Sequence, residues 1–417
     1  MTQQSTQSPQ PIVRGANASL FRTYPSEGLT PGQLSALLKE LDAGYVTNAM
    51  NFFDEMEEKD LHLAAVMQTR VMAAAGRART VRPAGPDTEA RRHADFIRDA
   101  WEGLEGKTML LHDLLGAIGR GFALAEMLFD TADGWLTVKK VNICPPPLFT
   151  FINYEDPNRL LEFPRYLLPG DSRGIELPRG KFIYHTTRSP SGGALRSGLY
   201  RGIAWYFLFT NYSIKDWMAF MDLYGVPMRI GRFRANSDDA SRAMLRQAVQ
   251  NLGSDAAAII SDDTTIEFIE SRLSGSHDLF QNAVEFFNRQ KSKRVLGQTL
   301  TTESGANGGG SHALGVVHDK VRADITRLDC LLLDETLTRD FIVPLVQANF
   351  GEQKRYPAFA ADMEDGEDRG MRLDSLKKLY DMGAPVPMAE LYAAAGIQAP
   401  GAGEKVSQSN PTGKGNN

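Results

Sequence analysis

The sequence predicts an α+β fold, with a mixed first half and a second half built largely from long helices. Short stretches rich in β-branched and aromatic residues lie between Gly, Pro and Asp-Gly turns, and they predict strands at residues 122–130, 135–143, 149–152 and 182–185. Apolar residues at spacings of three and four predict long helices at residues 199–224, 277–296 and 312–349. With 42% hydrophobic and 23% charged residues, most of the 417-residue chain is expected to fold.

The first elements are predicted from helix-start signals. Residues 1–28 are polar and contain proline, which predicts a flexible N-terminal arm. Thr30 can cap a helix, Pro31 suits its first position and Gln33 can complete a capping box. Apolar periodicity and turn residues then predict further helices at residues 44–58, 60–75, 88–102 and 110–119, with a short strand at 77–83. Together with the four strands, these elements predict an α+β domain with small antiparallel sheets.

From Leu199 onward the pattern becomes mainly helical. A strand and a short helix are expected within residues 226–270, and the helix at 312–349 carries the clearest apolar stripe of the chain. That stripe consists of Val317, Val321, Ile325, Leu328, Leu332 and Leu345. Pro344 lies inside the same run and cannot donate a helical hydrogen bond, so we expect a kink or an end there. Helices at 371–382 and 387–395 precede a Gly/Ser/Asn-rich tail, 400–417, that is predicted to be flexible.

Charge and composition limit the functional classes. A formal net charge of −5 argues against a protein that grips nucleic acid over a broad basic surface, but it is compatible with one that DNA passes without being held. Cys144 and Cys330 are far apart in apolar contexts, which predicts two buried free thiols. Residues 1–10 lack the pattern of a signal peptide, and the apolar stretch 203–221 is interrupted by polar residues. We therefore expect a soluble protein made inside the cell.

The sequence predicts no catalytic residue, no metal ligand set and no cofactor site. The segment 304–311 is rich in glycine but lacks the Gly-Lys-Ser/Thr ending of a phosphate-binding loop, and no strand precedes it. A flexible hinge between two helices is the preferred interpretation. The chain has no Gly-x-Ser-x-Gly nucleophile elbow, and its seven histidines show no metal-ligand spacing.

Two clusters on the predicted helices could contact a nucleic acid. Four cations within six residues could contact phosphate, namely Arg289, Lys291, Lys293 and Arg294. A solvated helix face or a subunit salt bridge is the preferred interpretation of this basic run. An aromatic row could stack on bases, and its members are Trp205, Phe209, Tyr212, Trp217 and Phe220. Because the row lacks interleaved Arg and Lys, packing between helices is the preferred interpretation.

Several dispersed segments resemble the portal proteins of Mu-type phages. The most specific are residues 296–303 (LGQTLTTE), 310–313 (GSHA) and 317–324 (VHDKVRAD). Shorter supporting segments occur in the same order as in that family, at residues 60–63, 121–126, 181–183, 204–206, 215–217 and 224–227. The resemblance covers roughly residues 30–350 and departs from the family pattern at Leu61, where proline is common, and at His312, where an aromatic residue is common.

The resemblance implies a domain organisation. It implies a flexible arm at 1–28, a wing at 29–198, a first stem helix at 199–225, a clip at 226–270, a second stem helix at 271–298, a tunnel loop at 299–311, a long kinked wing helix at 312–350, a crown at 351–399 and a tail at 400–417. Tunnel-loop residues facing DNA would be Thr301, Thr302, Glu303, Ser304, Asn307, Gly308, Gly309, Gly310 and Ser311. Subunit packing would involve Val317, Val321, Ile325, Leu328, Leu332 and Pro344.

The resemblance also implies a function. A ring of twelve subunits at one capsid vertex would form the channel through which double-stranded DNA is packaged and ejected. Its expected partners are the terminase large subunit, a head–tail adaptor and the major capsid or scaffold protein, and no membrane is involved. The ring would assemble in the host cytoplasm and remain in the virion. The alternatives are another head–tail connector protein, or a metal-dependent phage nuclease, for which no carboxylate cluster can be assembled from the sequence.

Overall fold

The computed structural model of the chain describes residues 11–13, 24–132, 134–171, 173–187, 193–224, 228–233, 238–251, 264–269, 276–298, 312–363 and 366–395. Residues 1–360 form one compact unit and residues 361–417 form another. The predicted tunnel loop at 299–311 and the predicted tail at 400–417 lie outside the described residues.

Six helices open the first unit. They are α1 (Pro31–Asp42), α2 (Thr47–Lys59), α3 (Leu61–Ala75), α4 (Thr88–Glu102), α5 (Lys107–Leu115) and α6 (Ala117–Arg120). The capping box predicted at Thr30 is confirmed, because the Thr30 side chain accepts from the Gln33 amide and the Gln33 side chain accepts from the Thr30 amide. Asp60 caps α3 by accepting from the Leu63 amide at 2.9 Å.

The main sheet has three antiparallel strands in the order β3-β2-β6. The central strand is β2 (Phe122–Ala132), flanked by β3 (Trp135–Cys144) and β6 (Phe182–Thr186), so Leu124 lies opposite Cys144 on one side and Tyr184 on the other. Two small sheets pair β1 (Arg79–Arg82) with β9 (Ala358–Ala361), and β4 (Phe149–Thr150) with β5 (Arg165–Tyr166). The strands predicted in the first half are confirmed, whereas β5 and β9 were not predicted.

A long helical hairpin follows this α+β part in the chain. It consists of α7 (Tyr200–Tyr224) and α9 (Ser276–Leu296), and the aromatic contacts Tyr206–Phe287 and Phe220–Phe280 show that the two helices run antiparallel. Between them in the chain, β7 (Met228–Phe233) and β8 (Thr264–Ile269) form an antiparallel pair, and α8 (Asp239–Asn251) lies between the two strands in the sequence. One strand was predicted at 226–270, so the second strand was missed. The base of α7 packs closely, since a β-carbon on Gly119 would lie 2.3 Å from the Tyr200 ring.

The next long helix is interrupted once. It comprises α10 (His312–Leu337), a π-helical turn at Thr338–Ile342, and α11 (Val343–Phe350). The interruption expected at Pro344 therefore lies one turn earlier, and the helix continues past the proline to Phe350. The π turn lies just before Pro344, whose backbone nitrogen carries no hydrogen and cannot donate to a carbonyl of the preceding turn.

The second unit contributes two described helices. They are α12 (Gly366–Asp381) and α13 (Met388–Ala395), close to the helix pair predicted at 371–382 and 387–395. Arg372 on α12 forms an ion pair with Glu390 on α13, with 2.9 Å between the guanidinium nitrogen and the carboxylate oxygen.

A buried ion pair anchors the described part of the N-terminal segment. Glu126 on β2 and Lys181 are both fully buried and lie 3.1 Å apart. The amides of Ile12 and Val13 also donate to the Glu126 carboxylate, at 2.6 and 3.0 Å. Since a buried carboxylate needs several donors, these amides are part of its solvation. Ile12 and Val13, within the arm predicted at 1–28, are therefore bound to β2.

Buried polar contacts join α3 to both helices that flank the segment 299–311. Lys291 of α9 forms a buried ion pair with Asp60, and Ser292 lies 2.7 Å from the His62 ring. Arg70 binds both carboxylate oxygens of Asp329 on α10, at 2.7 and 2.9 Å, and donates to the Val295 carbonyl at 2.9 Å. One helix of the α+β part thus fixes the rotation of α9 and α10 about their own axes.

We predict that Lys291→Met destabilises the protein by about 3–5 kcal/mol, because Asp60 would remain buried without its cation. Denaturant unfolding of the purified protein measures the difference. Lys140→Met is the matched control, since Lys140 is exposed on β3. The double variant Asp60→Asn/Lys291→Met should recover part of the loss. Equal stability of Lys291→Met and Lys140→Met would contradict this account.

His185 on β6 is buried and neutral. Its Nδ1 lies 2.9 Å from the Thr336 hydroxyl, and burial together with the nearby charges of Arg339 and Arg79 lowers the pKa of His185 from 6.5 to about 3. The unfolded chain therefore binds this proton more readily than the folded one. The contribution of neutral His185 to the free energy of unfolding is therefore fully present above about pH 6.5, and it decreases as the pH falls towards 3.

We predict that this histidine makes the free energy of unfolding fall by up to about 1.4 kcal/mol per pH unit below pH 6.5. Unfolding measured between about pH 7 and pH 5 should show a shallower slope for His185→Gln than for the unaltered chain. Lys140→Gln, at an exposed site on β3, should keep the original slope. If His185→Gln also kept the original slope, another group would be responsible.

Candidate functional site

The helices on either side of the segment 299–311 approach each other closely. Gly297, at the end of α9, has a φ of +72°, and a β-carbon there would meet the side chains of Val321 and Ile325 at 2.8 and 3.1 Å. Glycine is therefore favoured at this turn by both backbone conformation and space. The segment itself lies outside the described residues, so the DNA-facing assignment of Thr301 to Ser311 stays a prediction.

The structure separates the members of the basic run. Lys291 is fully buried against Asp60, so the prediction that it contacts phosphate is wrong, and the salt-bridge interpretation holds for this residue. Arg289 is exposed and forms an ion pair with Glu285 one turn away, at 3.3 Å. Lys293 and Arg294 are exposed and line a groove with Gly202, Tyr206 and Gln290, where α9 meets the base of α7.

The aromatic row on α7 takes part in helix packing. Phe209 contacts Phe287, and Phe220 contacts Phe280, both on α9. The Tyr212 hydroxyl donates to the Leu29 carbonyl at 2.8 Å. Packing is thus confirmed for these residues, although Phe209 and Tyr212 keep part of their surface exposed.

Of the predicted apolar stripe, Leu345 on α11 is buried in the core, but the part on α10 does not face the core. Val321 and Leu328 are 37% and 52% exposed, while Ile325 and Leu332 are half-buried. The side chain of Val317 is outside the described set. The core-facing side of the helix instead carries Thr326, Asp329, Cys330, Leu333 and Leu337. Sequence reasoning missed this second face because two of its acidic residues, Asp329 and Asp334, are neutralised by Arg70 and Arg79 from elsewhere in the chain.

Apolar surface is also left open along the hairpin. Exposed side chains on α7 and α9 include Ile214, Met218, Met221, Leu279 and Phe286. Together with α10, three long helices present apolar atoms to solvent in the single subunit. Extended exposed apolar surface of this kind marks interaction sites between proteins.

The described residues contain no group of three or more His, Cys, Asp or Glu placed to share a metal ion. Cys144 and Cys330 are both buried free thiols, as predicted, and burial raises the pKa of each. In the same part of the chain, no helix combines the length and apolar character that crossing a bilayer requires.

The chain is similar in sequence to known phage proteins. Residues 50–397 match the family described as the portal protein of Mu bacteriophage. Over 376 residues the chain is 31% identical to the Mu-like prophage FluMu protein gp29 of Haemophilus influenzae, covering 88% of this chain and 70% of that protein. Over 391 residues it is 30% identical to the portal protein of Escherichia phage Mu, covering 92% and 74% of the two chains.

The fold is similar to that of a chain in the neck of a native gene transfer agent particle, computed with C12 symmetry. The TM-score is 0.51 at 11% identity, over 94% of this chain and 97% of that chain. At this identity the likeness shows the fold alone. The mixture of small sheets and long helices agrees with the predicted α+β fold class. The sequence match over residues 50–397 shows that the chain belongs to the portal protein family of Mu bacteriophage.

Proposed function

We propose that this portal protein forms a closed ring at one vertex of a phage or prophage capsid, and that the ring is the channel for packaging and ejecting double-stranded DNA. The observation that carries the proposal is the family match over residues 50–397. The same match favours a portal over another type of head–tail connector. No described feature favours a metal-dependent nuclease, and we propose no catalytic activity for the chain.

The exposed apolar faces support a ring. The helices α7, α9 and α10 each bury one side within the subunit and expose apolar residues on another. A subunit in a ring has two neighbours, so such two-sided helices can bury both faces there. A structural neighbour belongs to a neck computed with C12 symmetry, and we propose twelve subunits for this ring in the virion.

We assign the parts of the subunit by the same reasoning. The α+β part is the wing, α7 and α9 are the stem helices, and the unit of β7, α8 and β8 is the clip. We propose that the ring binds the terminase large subunit, a head–tail adaptor and the major capsid or scaffold protein. ATP hydrolysis would then belong to the terminase. Assembly would take place in the host cytoplasm before the ring becomes part of the virion.

The acidic character of the chain suits this role. A channel that bound phosphates tightly would stall the passage of DNA, because each fixed cation adds to the affinity. The formal net charge of −5 gives the chain no overall attraction for DNA, and the burial of Lys291 removes one cation of the basic run from such contacts. Of the basic run, Arg289, Lys293 and Arg294 are exposed, and these three residues remain accessible to another molecule.

We predict closed rings, twelve subunits in number or close to it, in class averages of the purified protein viewed down the symmetry axis by cryo-electron microscopy. The central hole should admit a DNA duplex. Mass photometry over a range of salt and protein concentrations gives an independent measure of subunit number. A uniformly monomeric or dimeric particle under all these conditions, with or without scaffold protein, would contradict the proposed ring.

We also propose that residues 307–310 lie at the narrowest part of the channel. Deleting Asn307 to Gly310 should spare ring assembly and block DNA packaging, because the segment would act on DNA and not on subunit contacts. Ring formation is measured by microscopy and packaging by the DNA content of assembled particles. A deletion of equal length within residues 410–417 is the control. Normal packaging after the first deletion would overturn this assignment.

A further inference from the structure

The outward face of α10 carries a regular stripe. Positions at alternating spacings of three and four lie opposite the core face, and they are Val321, Asp324, Leu328, Leu331 and Glu335. All five are exposed, and Leu328 and Leu331 are about half accessible. A 3-4 spacing is the pattern with which one helix packs along another.

The outward face of α9 carries a second stripe of the same kind. Its positions, at spacings of four and three, are Leu279, Ala283, Phe286, Gln290 and Lys293. Leu279 is 67% exposed and Phe286 is 52% exposed. Lys291, Ser292 and Val295 are buried on the opposite side of the helix, so the contacts with α3 turn this stripe outward.

Near the contact between the end of α9 and α10, the two stripes carry opposite charges. Asp324 lies on the α10 stripe, while Lys293 and its neighbour Arg294 lie on α9. Gly297, one turn beyond Lys293, lies against Val321 and Ile325, on either side of Asp324 in the sequence. Within the described ranges, neither Lys293, Arg294 nor Asp324 has an ion-pair partner in its own subunit.

We propose that the subunits join head to tail through these stripes, with α9 of one subunit packed along α10 of the next and Lys293 and Arg294 paired with Asp324. The proposal rests on the ring proposed above and specifies its interface. Two different patches of one chain make a heterologous contact, which closes into a ring when the rotation allows. Subunits of a cyclic ring are related by rotation about the ring axis, without translation along it. Groups at the same height along that axis can therefore meet in adjacent subunits.

A second copy of the chain fits these faces better than DNA does. Both stripes present aliphatic and aromatic side chains, which gain free energy when buried and offer nothing to phosphate. Asp324 and Glu335 would repel a DNA backbone, whereas they complement a basic partner surface. The hydrogen bond to Asp340 is the main reason that the pKa of Arg339 is raised, and the charge of Glu335 adds to it. Glu335 therefore already interacts within its own subunit, and we place the specific pairing at Asp324.

Charge reversal tests the pairing. Asp324→Lys and the double variant Lys293→Glu/Arg294→Glu should fold normally but need at least about tenfold more protein for half-maximal ring assembly. Circular dichroism checks the fold, and mass photometry measures assembly. Lys140→Glu is the matched control, because it reverses an exposed charge on β3, and it should assemble like the unaltered chain.

Mixing the two reversal variants is the sharper measurement. Each has one reversed face, so an equimolar mixture should regain rings in which the variants alternate. Native mass spectrometry should then show equal copies of both and only even subunit numbers. A mixture that stays unassembled would overturn the pairing, and so would reversal variants that assemble as readily as the control.

Two other outcomes are also informative. Normal rings of Lys293→Glu/Arg294→Glu that retain less DNA would assign these cations to phosphate, and the pairing would be wrong. Absence of rings from the unaltered chain would contradict the ring itself, which is the failure of the proposed function. Intact rings of the unaltered chain together with unaffected variants would overturn only the interface.

Discussion

The buried ion pairs of α3 determine which surfaces this subunit presents. Asp60 holds Lys291 of α9, and Arg70 holds Asp329 of α10. Buried charge pairs of this kind add little net stability compared with apolar packing, but they penalise every arrangement that leaves one charge alone. They therefore fix how α9 and α10 are rotated. A small rotation of either helix would turn its outward stripe away and bury a charge without its partner.

Local signals in the sequence were sufficient for most helices and strands. The capping box at Thr30 and the cap at Asp60 mark helix starts with contacts that lie within four residues, so sequence reasoning could find them. The strand β9 and the anchoring of Ile12 and Val13 by Glu126 depend on partners far away in the chain. Contacts of that kind leave no local periodicity to read.

The candidate site shows the same limit more sharply. Lys291 and Lys293 are equivalent in a basic run, but two positions along a helix differ in direction by about 200°, so one is buried and the other exposed. Of the stripe predicted on α10, Val321 and Leu328 are exposed, and its role in subunit packing stays a prediction. The core face could not be predicted because it contains the charged residue Asp329, which is buried there only because Arg70 forms an ion pair with it.

The proposed interface also relates two features that otherwise conflict, a DNA channel and exposed cations on its subunit. Every cation available to phosphate adds a counterion-release term that holds DNA in place. In the proposed ring, Lys293 and Arg294 are occupied by Asp324 of the adjacent subunit, and Lys291 is occupied by Asp60 within its own. The basic run would then stabilise the ring while leaving the channel free of these fixed charges. Passage of DNA and cohesion of the ring would thus depend on the same pairing of charges.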